Sequence, residues 1–145
     1  MDQLMPRVSA DGSRWVMHAA DMILPGELPL QVDSANGANS QVTATLGAKT
    51  GLMTYITAFR VTALGATAGS TKQVAISGLA GGTQNFDLVV VAGAALPNNL
   101  FHAFDPPVPA SALNTAIVGT LPALGTGNTT AAISVYGFRG NANNA

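Results

Sequence analysis

The sequence predicts an all-β fold: a single β-sandwich of the jelly-roll or Greek-key kind, preceded by an irregular N-terminal arm. Three observations carry the prediction. Apolar and polar residues alternate over residues 54–64 and again over 83–91, the period of a strand with one buried face. Glycine and proline, 16 and 8 in 145 residues, recur every few positions and interrupt any helical period. The apolar segments are rich in Val, Ile and Thr, whose branched β-carbons suit a pleated surface.

Taken in order along the chain, residues 1–40 stand apart. They hold Arg7, Arg14, Trp15, four of the five methionines (1, 5, 17 and 22) and three of the eight prolines (6, 25 and 29). No strand or helix period runs through them, so they are expected as an arm or an irregular first layer, with residues 34–40 as the link into the sandwich. The sandwich is assigned to residues 41–139. Its first strand is expected at 41–46. In the second, at 54–64, Tyr55, Thr57, Phe59 and Val61 share one face and Ile56, Ala58, Arg60 and Thr62 the other. A loop over 65–69 leads to a strand at 70–77, and the glycine-rich turn at 78–82 returns the chain as the strand at 83–91, which makes a hairpin. There Phe86, Leu88 and Val90 face one way and Asn85, Asp87 and Val89 the other. Shorter strands are expected at 99–104, 116–121 and 130–138, separated by proline or by Gly and Asn. Residues 140–145 contain nothing apolar larger than alanine to bury and are expected to fray.

Composition narrows the function. Six Lys and Arg and seven Asp and Glu make only 9% of the chain charged, with a net charge of −1; an ordinary soluble domain carries about 25%. No Lys/Arg run exists to neutralise a row of phosphates, so nucleic acid is not an expected partner. The N-terminal residues lack the basic region and apolar stretch of a secretory signal. The longest apolar run, 88–96, is far shorter than the roughly 18 residues that suggest a membrane span, so no membrane is expected either. Cysteine is absent, which excludes disulfides, thiolate metal sites and cysteine nucleophiles. A mean hydropathy of +0.32 with so few charges predicts that copies of the chain or another partner cover much of its surface.

Candidates for chemistry are sparse. The histidines are His18 and His102, and His102-Ala-Phe-Asp105 is the one His/carboxylate cluster. Positions three apart on a strand point to opposite faces, so His102 and Asp105 converge only if the chain turns at Asp105-Pro-Pro107. Asp87 and Asp105 are one candidate carboxylate pair, the only glutamate being Glu27, and nothing in the sequence draws them together. No nucleophile elbow, phosphate loop or dinucleotide fingerprint occurs. The expectation is therefore no catalytic residue, no metal and no cofactor. Asn128-Thr-Thr130 matches the glycosylation acceptor pattern and, without an export signal, carries no weight. Trp15 beside Arg14 is placed either to stack on a sugar or partner surface or to pin the arm onto the sandwich.

Four segments share their order and spacing with a known group. They are residues 55–68 (Tyr-Ile-Thr-Ala-Phe-Arg-Val-Thr-Ala-Leu-Gly-Ala-Thr-Ala), Gly78-Leu-Ala-Gly-Gly-Thr83, residues 109–118 (Pro-Ala-Ser-Ala-Leu-Asn-Thr-Ala-Ile-Val) and residues 121–138. Over residues 42–139 the chain resembles the small β-sandwich structural proteins of tailed bacteriophages, above all the capsid decoration or cement proteins. The resemblance implies a virion protein, made in the bacterial host cytoplasm, that binds the major capsid protein at capsomer junctions as a homotrimer and needs contact area rather than a catalytic group. The other reading is a carbohydrate- or receptor-binding sandwich of a phage fibre or tail tip. Arg7, Arg14 and Trp15, residue types enriched at interface cores, are the expected partner contacts on the arm.

Overall fold

A computed structural model describes residues 7–8, 15–16, 27–93 and 98–140. All regular structure among them is strand: β1 (Arg7–Val8), β2 (Trp15–Val16), β3 (Glu27–Asp33), β4 (Val42–Leu46), β5 (Met53–Ala63), β6 (Ser70–Ser77), β7 (Gln84–Val90), β8 (Asn98–Pro109), β9 (Ile117–Leu121) and β10 (Ala131–Gly140). β1 and β2 pair as a small antiparallel ribbon. The others form two antiparallel four-stranded sheets, ordered β3-β10-β5-β8 and β4-β9-β6-β7. They pack face to face as a β-sandwich, with β10 of the first sheet over β4 and β9 of the second.

The core lies between the sheets and is aliphatic over most of its length. Val61, Ile133 and Val135 of one sheet and Leu46, Val74, Ile76 and Ile117 of the other are fully buried. Gly119 sits at its centre, where a β-carbon would stand 2.8 Å from Val135 Cγ1 and 3.0 Å from Ile133 Cδ1. The absent side chain is what lets β9 approach β10 so closely.

The expected hairpin is β6–β7, paired from Ser70↔Val90 to Ile76↔Gln84. Along β7, Leu88 and Val90 are buried while Asn85, Asp87 and Val89 are exposed, as the alternation required. β5 corrects its expected faces. Ile56 pairs with Gly137 and Ala58 with Tyr136, so Thr57 is an extra residue with no partner on β10. This bulge reverses the faces on one side of it. Ile56 thus joins Phe59 and Val61 in the core, while Tyr55 turns outward, stacks on Phe138 with ring centroids 4.8 Å apart and is itself buried.

Two further differences have local causes. Glu27–Asp33, inside the segment expected as an arm, forms an edge strand on β10, and Leu30 and Val32 pack against the core. An edge strand accepts Pro29 because one side of its backbone needs no partner. β8 runs on to Pro109 rather than stopping near Phe104. It too is an edge, and it carries Phe104–Pro107 opposite the single Thr57.

Residues 34–40, the expected link, are held by side-chain amides. Asn36 Nδ2 donates to Thr129 O at 3.2 Å and its Oδ1 accepts from Ala131 N at 3.1 Å. Asn39, at a left-handed φ of 48°, accepts from Gly125 N at 3.0 Å. Asn128 is 4% exposed and donates to Leu64 O at 2.7 Å and Thr130 O at 2.9 Å, while its Oδ1 accepts from Asn39 N at 3.1 Å. The residue that matches a glycosylation acceptor is therefore a buried staple, with its amide nitrogen committed twice.

Candidate functional site

β7 and β8 are edge strands of the two sheets that meet across the layers, Phe86 of one against His102 and Phe104 of the other. An aromatic group closes the core there. His102 lies 4.7 Å from Phe86 and 4.8 Å from Phe104 between ring centroids, and Phe59 lies 4.8 Å from Phe86. β8 places His102 on the core-facing side because it pairs with the buried Phe59. Next to it Phe101 points the other way and is 63% exposed, while Val89 and Val91 on the β7 side are 59% and 57% exposed. Phe101 lies on the outer face of its sheet and Val89 on the outer face of the other, so they flank the edge on opposite faces of the sandwich. Asp105, Pro106 and Pro107 are exposed on β8. Proline removes ladder donors from an edge, which disfavours indefinite strand addition.

The outer face of the sheet β3-β10-β5-β8 carries a row running Asp33, Ser134, Arg60, Phe101 across its four strands. Hydrogen bonds from Ser134 and then Gln31, with the Arg60 charge adding to them, hold the Asp33 carboxyl below its ordinary value. Gln31 Nε2 reaches both carboxylate oxygens, at 3.2 and 3.1 Å. Further along this sheet a hollow of about 430 Å³ is lined by Pro29, Leu30, Gln31, Thr57, Tyr136 and Phe138. The Thr57 bulge and the register shifts of β10 at Tyr136–Gly137 and at Gly137–Arg139 make this depression.

Of the residues singled out from the sequence, Arg7 is paired with Val16 and Trp15 with Val8 in the β1–β2 ribbon. Arg14 and His18 lie outside the described residues. His102 and Asp105 are not brought together: among the described residues no hydrogen bond or ion pair joins them, and the His102 ring is engaged by phenylalanines. Asp87, on the outer face of β7, accepts from Gln73 Nε2 at 3.2 Å. Among the described residues no group of three or more His, Cys, Asp or Glu is arranged to hold a metal ion. Sequence reasoning missed the hollow at Tyr136, because the three irregular strands that form it show up only as register shifts. The exposed Phe101 was legible in principle as the residue alternating with His102 and Leu100.

The chain matches no protein-family model, and no curated protein is significantly similar to it.

Proposed function

We propose that the chain is a virion structural protein of the capsid decoration type, which associates with copies of itself and with the major capsid protein. The observation that carries this reading is a sandwich of low charge that leaves Phe101, Val89 and Val91 exposed on either side of its β7/β8 edge. Isolated monomers seldom leave such an edge uncovered. The resemblance of residues 42–139 to decoration proteins supports the same role.

The test is association in solution and in particles. Light scattering on the full chain should give about three times 14.6 kDa. Phe101→Ser with Val91→Ser should lower that mass while leaving the melting temperature nearly unchanged, because both side chains are already mostly in water. A clean monomer at micromolar concentration would refute self-association. In purified particles, hundreds of copies support a capsid position, and absence of the chain refutes a virion role.

A second reading, a carbohydrate- or receptor-binding sandwich at a fibre or tail tip, is favoured by the hollow at Tyr136. It sets two aromatic rings beside the Gln31 amide and the Thr57 hydroxyl, a combination that suits the apolar face and hydroxyls of a sugar. A few copies per particle, with loss of glycan binding in Tyr136→Ala, would select this reading over the first.

A further inference from the structure

At one end of the sandwich the core-facing side of β6 changes character. Val74 and Ile76 are fully buried, so the strand period puts Lys72 and Ser70 on the same inward side, opposite the buried Leu88 and Val90 of β7. A lysine and a serine thus take up positions that further along the strand belong to the core. They open onto a cavity of about 390 Å³ whose lining includes Ala66, Thr67, Leu124 and Thr126.

Two polar groups beside it are unmatched. Ser70 Oγ is closed off from the cavity and from solvent and has no hydrogen-bond partner among the described residues, a state that ordinarily costs stability. Lys72 has no acid within ion-pair distance among the described residues. Asp87, one position from its cross-strand partner Leu88, points to the opposite face and is held by Gln73. The walls are built in advance by hydrogen bonds between the loops. Thr67 N donates to Thr126 O at 2.8 Å, Gly93 N to Ala66 O at 2.8 Å, and Gly125 N to Asn39 Oδ1 at 3.0 Å. A cavity that need not be ordered on binding keeps more of its contact energy as affinity.

We propose that this cavity is a binding site for a small carboxylate, held by the Lys72 ammonium. One cation matches one negative charge, and the ammonium donates to a carboxylate oxygen. Ala66 and Leu124 give the rest of the ligand an apolar wall, and the exposed Thr67 and Thr126 supply hydroxyls at the mouth. Phosphate and sulfate suit the site less well, since sites for them gather several N–H donors or more than one cation. The cavity is at the small end of ligand pockets, which limits the occupant to a short acid or a single acidic sugar.

The experiment is amide NMR on the full chain, titrated with sodium acetate and sodium glucuronate, with glucose and inorganic phosphate as controls at matched ionic strength. A carboxylate probe should move the resonances of residues 66–72 and 124–126 saturably at millimolar concentration, and glucose should not. Lys72→Met, which keeps the length of the side chain, should weaken binding roughly tenfold or more with the fold intact. Ser70→Ala should leave binding nearly unchanged, and should hold or raise the melting temperature by removing the orphaned hydroxyl. Absence of a saturable shift with either carboxylate would overturn the site, as would equal affinity in Lys72→Met, which would leave Lys72 as a side chain that only reaches for solvent. Phosphate binding as tightly as the carboxylates would overturn the assigned ligand class.

Discussion

Asn128 offers a direct test of how the loop end of the sandwich is held, because one side chain there joins three segments. Replacing it with alanine removes the donors to Leu64 O and Thr130 O and the acceptor for Asn39 N. Thr130 O keeps the backbone amide of Leu64, at 2.9 Å. The groups left without a partner are therefore Leu64 O and Asn39 N. At about 1.5 kcal/mol for each unsatisfied group, Asn128→Ala should cost about 3 kcal/mol. In a chain of this size that lowers the melting temperature by about 10 °C. Asn128→Asp is the sharper probe, since it keeps the shape but turns two donors into lone pairs aimed at carbonyl oxygens. At pH 7 it should cost more than alanine does. The new carboxyl would have its folded-state pKa raised above about 3.9. A folded state that binds the proton more tightly than the unfolded one gains stability as pH falls, so the deficit of Asn128→Asp should widen from about pH 4 to pH 7 and narrow on acidification. Calorimetric melts of the three proteins across that range provide the measurement. If Asn128→Asp were as stable as the parent at pH 7, or more stable than Asn128→Ala, the staple would be an incidental contact and the reasoning wrong.

Three further outcomes are expected. Gly119→Ala should cost about 1–3 kcal/mol by overpacking, since its β-carbon would meet Val135 and Ile133 inside the core; an unchanged denaturation midpoint would show that β9 can move away freely. A chain beginning at Ser34 loses β3, uncovers the edge of β10 and gives up the partial burial of Leu30 and Val32. It should be less stable by about 2–3 kcal/mol, whereas one beginning at Glu27 keeps these contacts, and equal urea midpoints for the two would show that β3 contributes nothing. The Asp33 carboxyl, held below its ordinary value chiefly by Ser134, supplies a contribution present above the normal carboxylate range and lost as pH falls through it; carboxyl NMR should show its titration moving up toward the ordinary value in Ser134→Ala.

The strands of the hairpin were legible because each obeys one rule throughout: every second residue of β6 and β7 goes inside, and glycines mark the reversal. β5 obeys the same rule on either side of Thr57 but not across it. A bulge is a relation between a strand and its neighbours, so the face that Tyr55 and Ile56 would occupy could not be settled from their own segment. β3 was hidden for a related reason. Pro29 argues against a strand in general and not against an edge strand, and which strands are edges is decided by the pairing of the whole sheet.

The candidate sites divide in the same way. A low charge and a high apolar content, read by counting, already called for a surface that associates. That Phe101, Val89 and Val91 are left outside while His102 turns in among the phenylalanines comes only from the pairing and stacking of β7 and β8. Composition registered Lys72 as one of six basic residues and Asn128 as one of many small polar ones. The tertiary structure alone turned the first toward a cavity beside an orphaned hydroxyl and buried the second between three segments. Periodicity along a chain records which faces alternate. What each face meets depends on segments that lie far away in sequence and arrive only when the sheets close on one another.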